Sequence, residues 1–469
     1  MPSSRLFTCL ACPVSRAERV RDGRAMPHPA IIGWLFLACA LPVSASAQRS
    51  SPASSVAGDT VVLTLADVQR LTLERNPASL AEREDIAIAS AGLRRARTIP
   101  FNPDVSVQST GSGGTTEAIV TQEVEVLGQR GLRVNAARIG VGRATALVSN
   151  AGRLVVAEAS IVFARAVAAE RRFTVTREGL GLVERLLGAV RIQLREGEIS
   201  ALEANLAEIE LGRARARVLA GQRIANSLLL DLKRLVGLSP DVPVRLAPDF
   251  AAATPTSPGF PRALLDDTLS RAADSLMVMA LRSRPDLAAS TSAVQEFDAL
   301  AALARREALP NLRLGAVVER AGGTQRLGPV IGVSIPLFNW NQGLIAEREA
   351  QRRQATLRRN ATELRVRTDV ITAVRAYRTA SDEATVFEQS VQQPSRENAA
   401  LLELAYRAGK IPLPTLLLLR NQLLDGELGY WDAWLARREA LVQLQAATGT
   451  LPTFDIDSSR TGTSVGNPR

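Results

Sequence analysis

Two stretches of this chain alternate apolar and polar residues one by one, while almost everything between them repeats every three to four positions. In the first stretch Val105 and Val107 alternate with Asp104, Ser106 and Gln108. Beyond the turn Gly111-Ser-Gly-Gly-Thr115, Val120, Val124 and Val126 alternate with Thr121, Glu123 and Glu125. In the second, Leu312, Leu314, Ala316 and Val318 stand against Asn311, Arg313 and Glu319. After Ala321-Gly-Gly-Thr-Gln325, Ile331, Val333, Ile335 and Leu337 stand against Gly332 and Ser334. A period of two predicts a β-hairpin at about 101–127 and another at about 311–338. Each strand is about ten residues long, enough to cross a bilayer when tilted. One apolar and one polar face suits a strand between lipid and a wet lumen. Four edge strands of a soluble sheet would alternate in the same way, so the pattern alone leaves both readings open.

The remaining chain predicts long helices. Asn341 to Tyr406 contains Pro394 as its only proline, and an unbroken helix of that length would reach roughly 100 Å. Leu424, Leu428, Trp431 and Leu435, and likewise Leu202, Leu206 and Ile209, follow a 3–4 spacing that predicts a narrow seam for helix–helix packing. An ordinary coiled coil would carry the same seam.

The order of elements occurs twice. Asn76-Pro77 and Arg284-Pro285-Asp286 each follow a short amphipathic segment, Leu65 to Arg75 and Leu276 to Ser283. Each then leads to a hairpin, a long helix, a Gly-centred turn, a second helix and a closing glycine. The turns are Arg195-Glu-Gly197-Glu-Ile-Ser200 and Arg407-Ala-Gly409-Lys-Ile-Pro412, and the closing residues are Gly237 and Gly449. The offset is 208 residues at the prolines and 212 at both glycine pairs, the mark of an internal duplication. The domains expected are a first repeat at 59–242 (helical hairpin about 129–236), a Pro-rich linker at 251–262, and a second repeat at 263–452 (helical hairpin about 341–449). A disordered tail at 453–469 follows.

Composition narrows the function. The apolar run Ala30 to Leu41 before Ala45-Ser46-Ala47 reads as an export signal at 1–47, cleaved after Ala47. The start could be Met1 or Met26, and lipidation at Cys39 is an alternative processing. All three cysteines (Cys9, Cys12, Cys39) and the single histidine (His28) lie within that region. A chain beginning at Gln48 therefore has no thiol or imidazole for catalysis, disulfides or soft-metal binding. No cofactor, metal site or catalytic residue is expected. Glu203, Glu208 and Glu210 fall at helical spacing and read as a solvated or pore-facing surface. The formal charge is +10, and the signal region holds five arginines against Glu18 and Asp22, a surplus of three that leaves +7. Arginines interspersed with acids, with aromatics at 4%, describe solvated helices rather than a nucleic-acid surface. After residue 50 there is no uninterrupted apolar stretch of 18 residues, so a helical membrane span is not expected.

Four strands cannot close a barrel. An open edge in lipid leaves backbone groups unsatisfied, so copies of the chain must pool their strands, and three would supply twelve. Phe101, Phe338 and Trp340 sit at strand ends, as an interfacial girdle would.

The doubled unit from Leu63 to about Gly449 resembles the TolC-like outer-membrane efflux protein family. The matching residues are Val333-Ser-Ile-Pro-Leu-Phe-Asn339 and the tip Tyr406-Arg-Ala-Gly409, continuing into Leu416 to Leu424. Gln122-Glu-Val-Glu-Val-Leu-Gly128-Gln-Arg130 is similar to the cobalt–zinc–cadmium resistance branch. The resemblance implies a mainly α fold with a small membrane β part. It implies a homotrimer, its α-helical barrel topped by a 12-stranded β-barrel in the outer membrane and reaching into the periplasm. It also implies no enzyme activity, and the role of exit duct in a tripartite efflux system for metals or drugs. The two tips, through Arg195, Gly197, Ser200, Arg407, Gly409 and Pro412, would contact a periplasmic adaptor linked to an inner-membrane pump. Entrance closure in the family implies roles for Tyr406 and Glu203, although Ile411 stands where the family has an arginine. The residues read alone allow purely structural turns, with left-handed Gly197 and Gly409 ending helices and Ser200 and Pro412 starting them. A periplasmic adaptor or a coiled-coil scaffold without a channel is the alternative; an adaptor should have one helical hairpin, a scaffold no β-hairpins.

Overall fold

The computed structural model describes residues 60–110, 114–247 and 269–454. The expected signal region, the linker at 251–262 and most of the expected tail lie outside the described residues. Both repeats are present. The first comprises β1 (Val61–Leu63), α1 (Leu65–Arg75), α2 (Pro77–Arg97), β2 (Asp104–Thr110), β3 (Thr115–Val124), α3 (Gln129–Glu196), α4 (Ala201–Leu235) and β4 (Val244–Leu246). The second comprises α5 (Leu269–Ser283), α6 (Pro285–Glu307), β5 (Leu312–Ala321), β6 (Thr324–Val333), α7 (Gln342–Phe387), a π turn (Glu388–Gln392), α8 (Gln393–Arg407) and α9 (Leu413–Thr448).

Local chemistry sets the boundaries. Thr64 caps α1 in a reciprocal pair with Asp67, and Asn76 caps α2 by accepting from the backbone of Ala78 (2.9 Å) and Ser79 (3.2 Å) ahead of Pro77. Pro77 and Pro285 open their helices because the first turn needs no amide donor. The closing glycines sit where the repeats fold back. A Cβ on Gly237 would lie 2.6 Å from the Arg75 carbonyl, and one on Gly449 would lie 2.9 Å from Ser283 Oγ; both residues have positive φ. Equivalent side chains close each repeat: Asn76 Nδ2 donates to Leu235 O (2.9 Å), and Arg284 Nη1 to Ala447 O (3.4 Å).

The core follows the duplication. One cluster gathers Leu63, Val68, Phe163, Leu232, Val236 and Trp434 between α1, α3, the end of α4 and α9. A second gathers Leu276, Ala280, Val366, Val370 and Leu444 between α5, α7 and α9. Among the described residues α3 alone is long and apolar enough to cross a membrane, but its Val156, Ala159, Phe163 and Val167 are buried in this core.

Several expectations need correction. The 66-residue helix is interrupted: Pro394 has no amide to donate, and the preceding turn widens into the π turn. Gly426 and Gly429 of α9 make room for it, since a Cβ there would press on Val391 and on the Phe387 ring. The seam of Leu202, Leu206 and Ile209 does not face α3; these side chains are exposed, while Ala204, Ala207 and Ala214 are buried. Alanines let α4 approach its partner closely and leave the leucines outward. Glu210 is buried rather than solvated, with Arg217 at 3.3 Å and Arg213 at 3.8 Å. The expected tail begins too early, because Phe454 is buried, its ring over Gly152 and capped by Arg83. A parallel pair, β1 with β4, runs past the expected boundary at residue 242.

Candidate functional site

Two features place chemistry at opposite ends of the helices. The first is a four-stranded antiparallel sheet in the order β2-β3-β5-β6. Its register stacks apolar residues across all four strands: Val107–Ala118–Val318–Leu327 forms one row and Val105–Val120–Ala316–Pro329 the next. This face is bare; Val105 is 66% and Ile331 73% exposed. The opposite face carries Gln108, Glu117, Glu319 and Arg326 in one row and Glu123 beside Arg313 in another. Gly315 is obligatory, because any Cβ there would collide with the Val120 carbonyl. Neither outer edge, β2 or β6, has a strand partner among the described residues. Both hairpins fall where the alternation predicts them. Val126, Ile335 and Leu337 nevertheless lie beyond the paired strands: β5 starts at Leu312, leaving nothing among the described residues to pair past Val333, and Pro336 lacks a donor.

The strand-to-helix joint is a polar knot. Buried Gln129 donates to Asn311 (3.1 Å), Asn311 donates to Glu123 (2.7 Å), and Arg133 grips Glu125 through two bonds of 2.7 Å. The segment from Gln122 to Arg130 thereby ties the first hairpin to the second.

The second feature is the pair of tips. Arg195 lies in the last turn of α3, which ends at left-handed Gly197, with Glu198 N–H donating to Gln193 O at 2.9 Å. Arg407 ends α8 ahead of left-handed Gly409, and Lys410 N–H donates to Ala405 O at 2.9 Å. A Cβ on either glycine would meet nothing within 4 Å, so only the backbone conformation demands glycine there. Ser200 caps α4 and Pro412 precedes α9. The two tips are packed together. Leu187 and Val190 of α3, Ala204 and Ala207 of α4, and Leu413, Leu416 and Leu417 of α9 form one cluster, with Ile199, Tyr406 and Ile411 at its margin. Tyr406 donates its hydroxyl to Gln193 Oε1 at 3.1 Å; burial, then the Glu203 carboxylate, raises its pKa. Glu203 is occupied by the capping box, accepting from Ser200 N at 3.0 Å and Oγ at 3.1 Å. Arg407 pairs with Glu403 on its own helix. Sequence reasoning missed Gln193 and the apolar role of Ile411, since nothing in their spacing marks them. Above the tips a cleft of about 350 Å³ opens between α3, α8 and α9.

A family model described as outer membrane efflux protein matches residues 276–450, from α5 to the closing glycine of the second repeat. The chain thus resembles that family over its second repeat. The outer-membrane efflux assignment also agrees with curated relatives that span nearly the whole chain. It is 24% identical over 411 residues to the cobalt-zinc-cadmium resistance protein CzcC of Cupriavidus metallidurans, covering 84% of this chain and 94% of that protein. It is 27% identical over 399 residues to the nickel-cobalt-cadmium resistance protein NccC of Alcaligenes xylosoxydans xylosoxydans, covering 81% and 85%. The fold matches the CmeC outer membrane channel of Campylobacter jejuni with a TM-score of 0.67 at 15% identity, over 84% of this chain and 88% of that one. The family match and the shared fold thus both point to outer-membrane efflux and channel proteins.

Proposed function

We propose that three copies of this chain pool their sheets into one twelve-stranded barrel, continue beneath it as a helical tunnel, and serve as the exit duct of a tripartite efflux system. The observation that carries this is the sheet whose apolar face is exposed and whose β2 and β6 edges lack strand partners among the described residues. In lipid each unpaired amide or carbonyl costs several kcal/mol, and the smallest bacterial barrels have about eight strands. Because the four strands alternate in direction, β6 of one copy meets β2 of the next antiparallel. Identical contacts then close a ring. The family resemblance supports three as the number.

At the far end the tips, through Arg195, Gly197, Ser200, Arg407, Gly409 and Pro412, contact a periplasmic adaptor that couples the duct to an inner-membrane pump. Tyr406 holds the entrance through Gln193 and the apolar cluster around Ile411, while Glu203 acts as a helix cap. The cargo is heavy-metal cations, a reading supported by the two curated relatives. Every cysteine and histidine lies at or before Cys39, so the duct passes cations without thiolate or imidazole ligands and selection falls to the pump. The test is Gly409→Val, which forces a β-branched residue into a left-handed conformation. Metal export from cells carrying this variant should fall while trimers persist in outer-membrane extracts. Unchanged export would remove the tips from the mechanism, and export of organic dyes without metals would remove the cargo.

A further inference from the structure

Ahead of each hairpin a helix carries arginines in its last turn, α2 ending in Arg97 and α6 in Glu307 directly after Arg306. The last turn of α2 carries Arg94, Arg95 and Arg97, and that of α6 carries Arg305 and Arg306. β2 begins seven residues after Arg97 and β5 six residues after Arg306. Positions 94, 95 and 97 fan over an arc of about 160° of the helix surface, and all three are exposed. Arg305 is engaged by Glu349 at 2.6 Å. By contrast, Arg94, Arg95, Arg97 and Arg306 enter no ion pair among the described residues, and from 94 to 104 the only acid is Asp104. Arg130 adds another guanidinium at this level by donating twice to the Arg97 carbonyl, at 3.1 and 2.7 Å.

Between these arginines and the strands lie apolar and aromatic joints. Ile99 is 67%, Phe338 91% and Trp340 56% exposed. From the strands toward the helices the surface is therefore aliphatic, then aromatic, then cationic, the order of acyl chains, interface and headgroups in one leaflet.

We propose that Arg94, Arg95, Arg97 and Arg306 bind the phosphates of anionic phospholipids in the periplasmic leaflet of the outer membrane. The arginines stand six to ten residues before the strands whose apolar face is exposed, and their charge is opposite to that of the headgroups. Arginine suits the task because its planar fork can hold two phosphate oxygens at once. The proposal rests on the outer-membrane placement and not on the adaptor or the cargo.

The experiment measures lipid retention by the full protein purified in mild detergent micelles doped with phosphatidylglycerol or with phosphatidylethanolamine. Phosphatidylglycerol should be retained about tenfold more strongly. The variant R94Q/R95Q/R97Q/R306Q should lose that preference. The variant R358Q/R365Q/R375Q/R378Q removes the same charge from exposed positions on α7, roughly 24 Å or more below its start, and should keep it. Equal retention of the two lipids by the parent protein would overturn the proposal, as would equal loss in both variants. Displacement of phosphatidylglycerol by millimolar inorganic phosphate would overturn the leaflet as the source of the ligand. Circular dichroism of both variants reports whether the helices survive, and a helical R94Q/R95Q/R97Q/R306Q protein that still prefers phosphatidylglycerol would also refute it.

Discussion

At the scale of single residues, the strongest constraints sit where each repeat closes. Arg284 is 4% exposed; it donates to Asp286 at 2.6 and 3.0 Å and to Asp369 at 2.8 Å. Arg153, equally buried, donates to Ala446 O at 2.6 Å beside it. Burial pushes the Asp286 carboxyl upward, but the bonds from Arg284 outweigh it and hold the group below its ordinary value. A depressed carboxyl contributes stability in full above its unfolded value, near pH 4, and loses it as pH falls through the lower folded value. Arg284→Ala should therefore cost about 3 kcal/mol at neutral pH, because it strands the largely covered Asp286 while the more exposed Asp369 turns to solvent. In denaturant titrations of the micellar protein the difference from the parent should narrow as pH drops below about 4. A constant difference would assign the loss to packing. Arg284 stood out in the sequence only as a neighbour of Pro285; its burial could not be foreseen, since arginines on these helices are mostly exposed.

At the scale of elements, α4 shows that a helical pattern gives a packing face without saying which surface it meets. The 3–4 spacing of Leu202, Leu206 and Ile209 is real, yet within one chain these leucines are bare and Ala204, Ala207 and Ala214 make the contact with α3. Small residues let two backbones come close, while large apolar ones left outside wait for a further surface. Leu202→Gln with Leu206→Gln should change the unfolding free energy of an isolated copy by less than about 0.5 kcal/mol while weakening association between copies. Ala207→Leu should do the reverse, costing about 1–3 kcal/mol by overpacking the hairpin. Unfolding curves and sedimentation of the parent and the two variants distinguish these outcomes; a leucine variant that associates normally would leave the stripe without a purpose.

At the scale of the whole molecule, the two bare edges decide the architecture. With Cys9, Cys12 and Cys39 changed to Ser, a scan of cysteine pairs, one in β2 and one in β6, should give a register that crosslinks neighbouring copies. Oxidation in membranes should then yield bands of two and three copies and none larger. A scan producing monomers throughout would mean that the edges are satisfied in some other way. Longer ladders would mean that the contact does not close.

The sequence by itself determined the doubled plan, both hairpins, the left-handed tip glycines and the helix-starting residues. These depend on local chemistry: a period of two, a missing amide at proline, a glycine where φ must be positive. The tertiary structure decided which face of each helix is covered and which carboxylate caps rather than latches. It also decided where β6 loses its partner and how Tyr406 reaches Gln193 across 213 residues. Those outcomes depend on distances between segments far apart in the chain, and hydrophobic spacing along one helix gives the direction of a face without giving what lies opposite it.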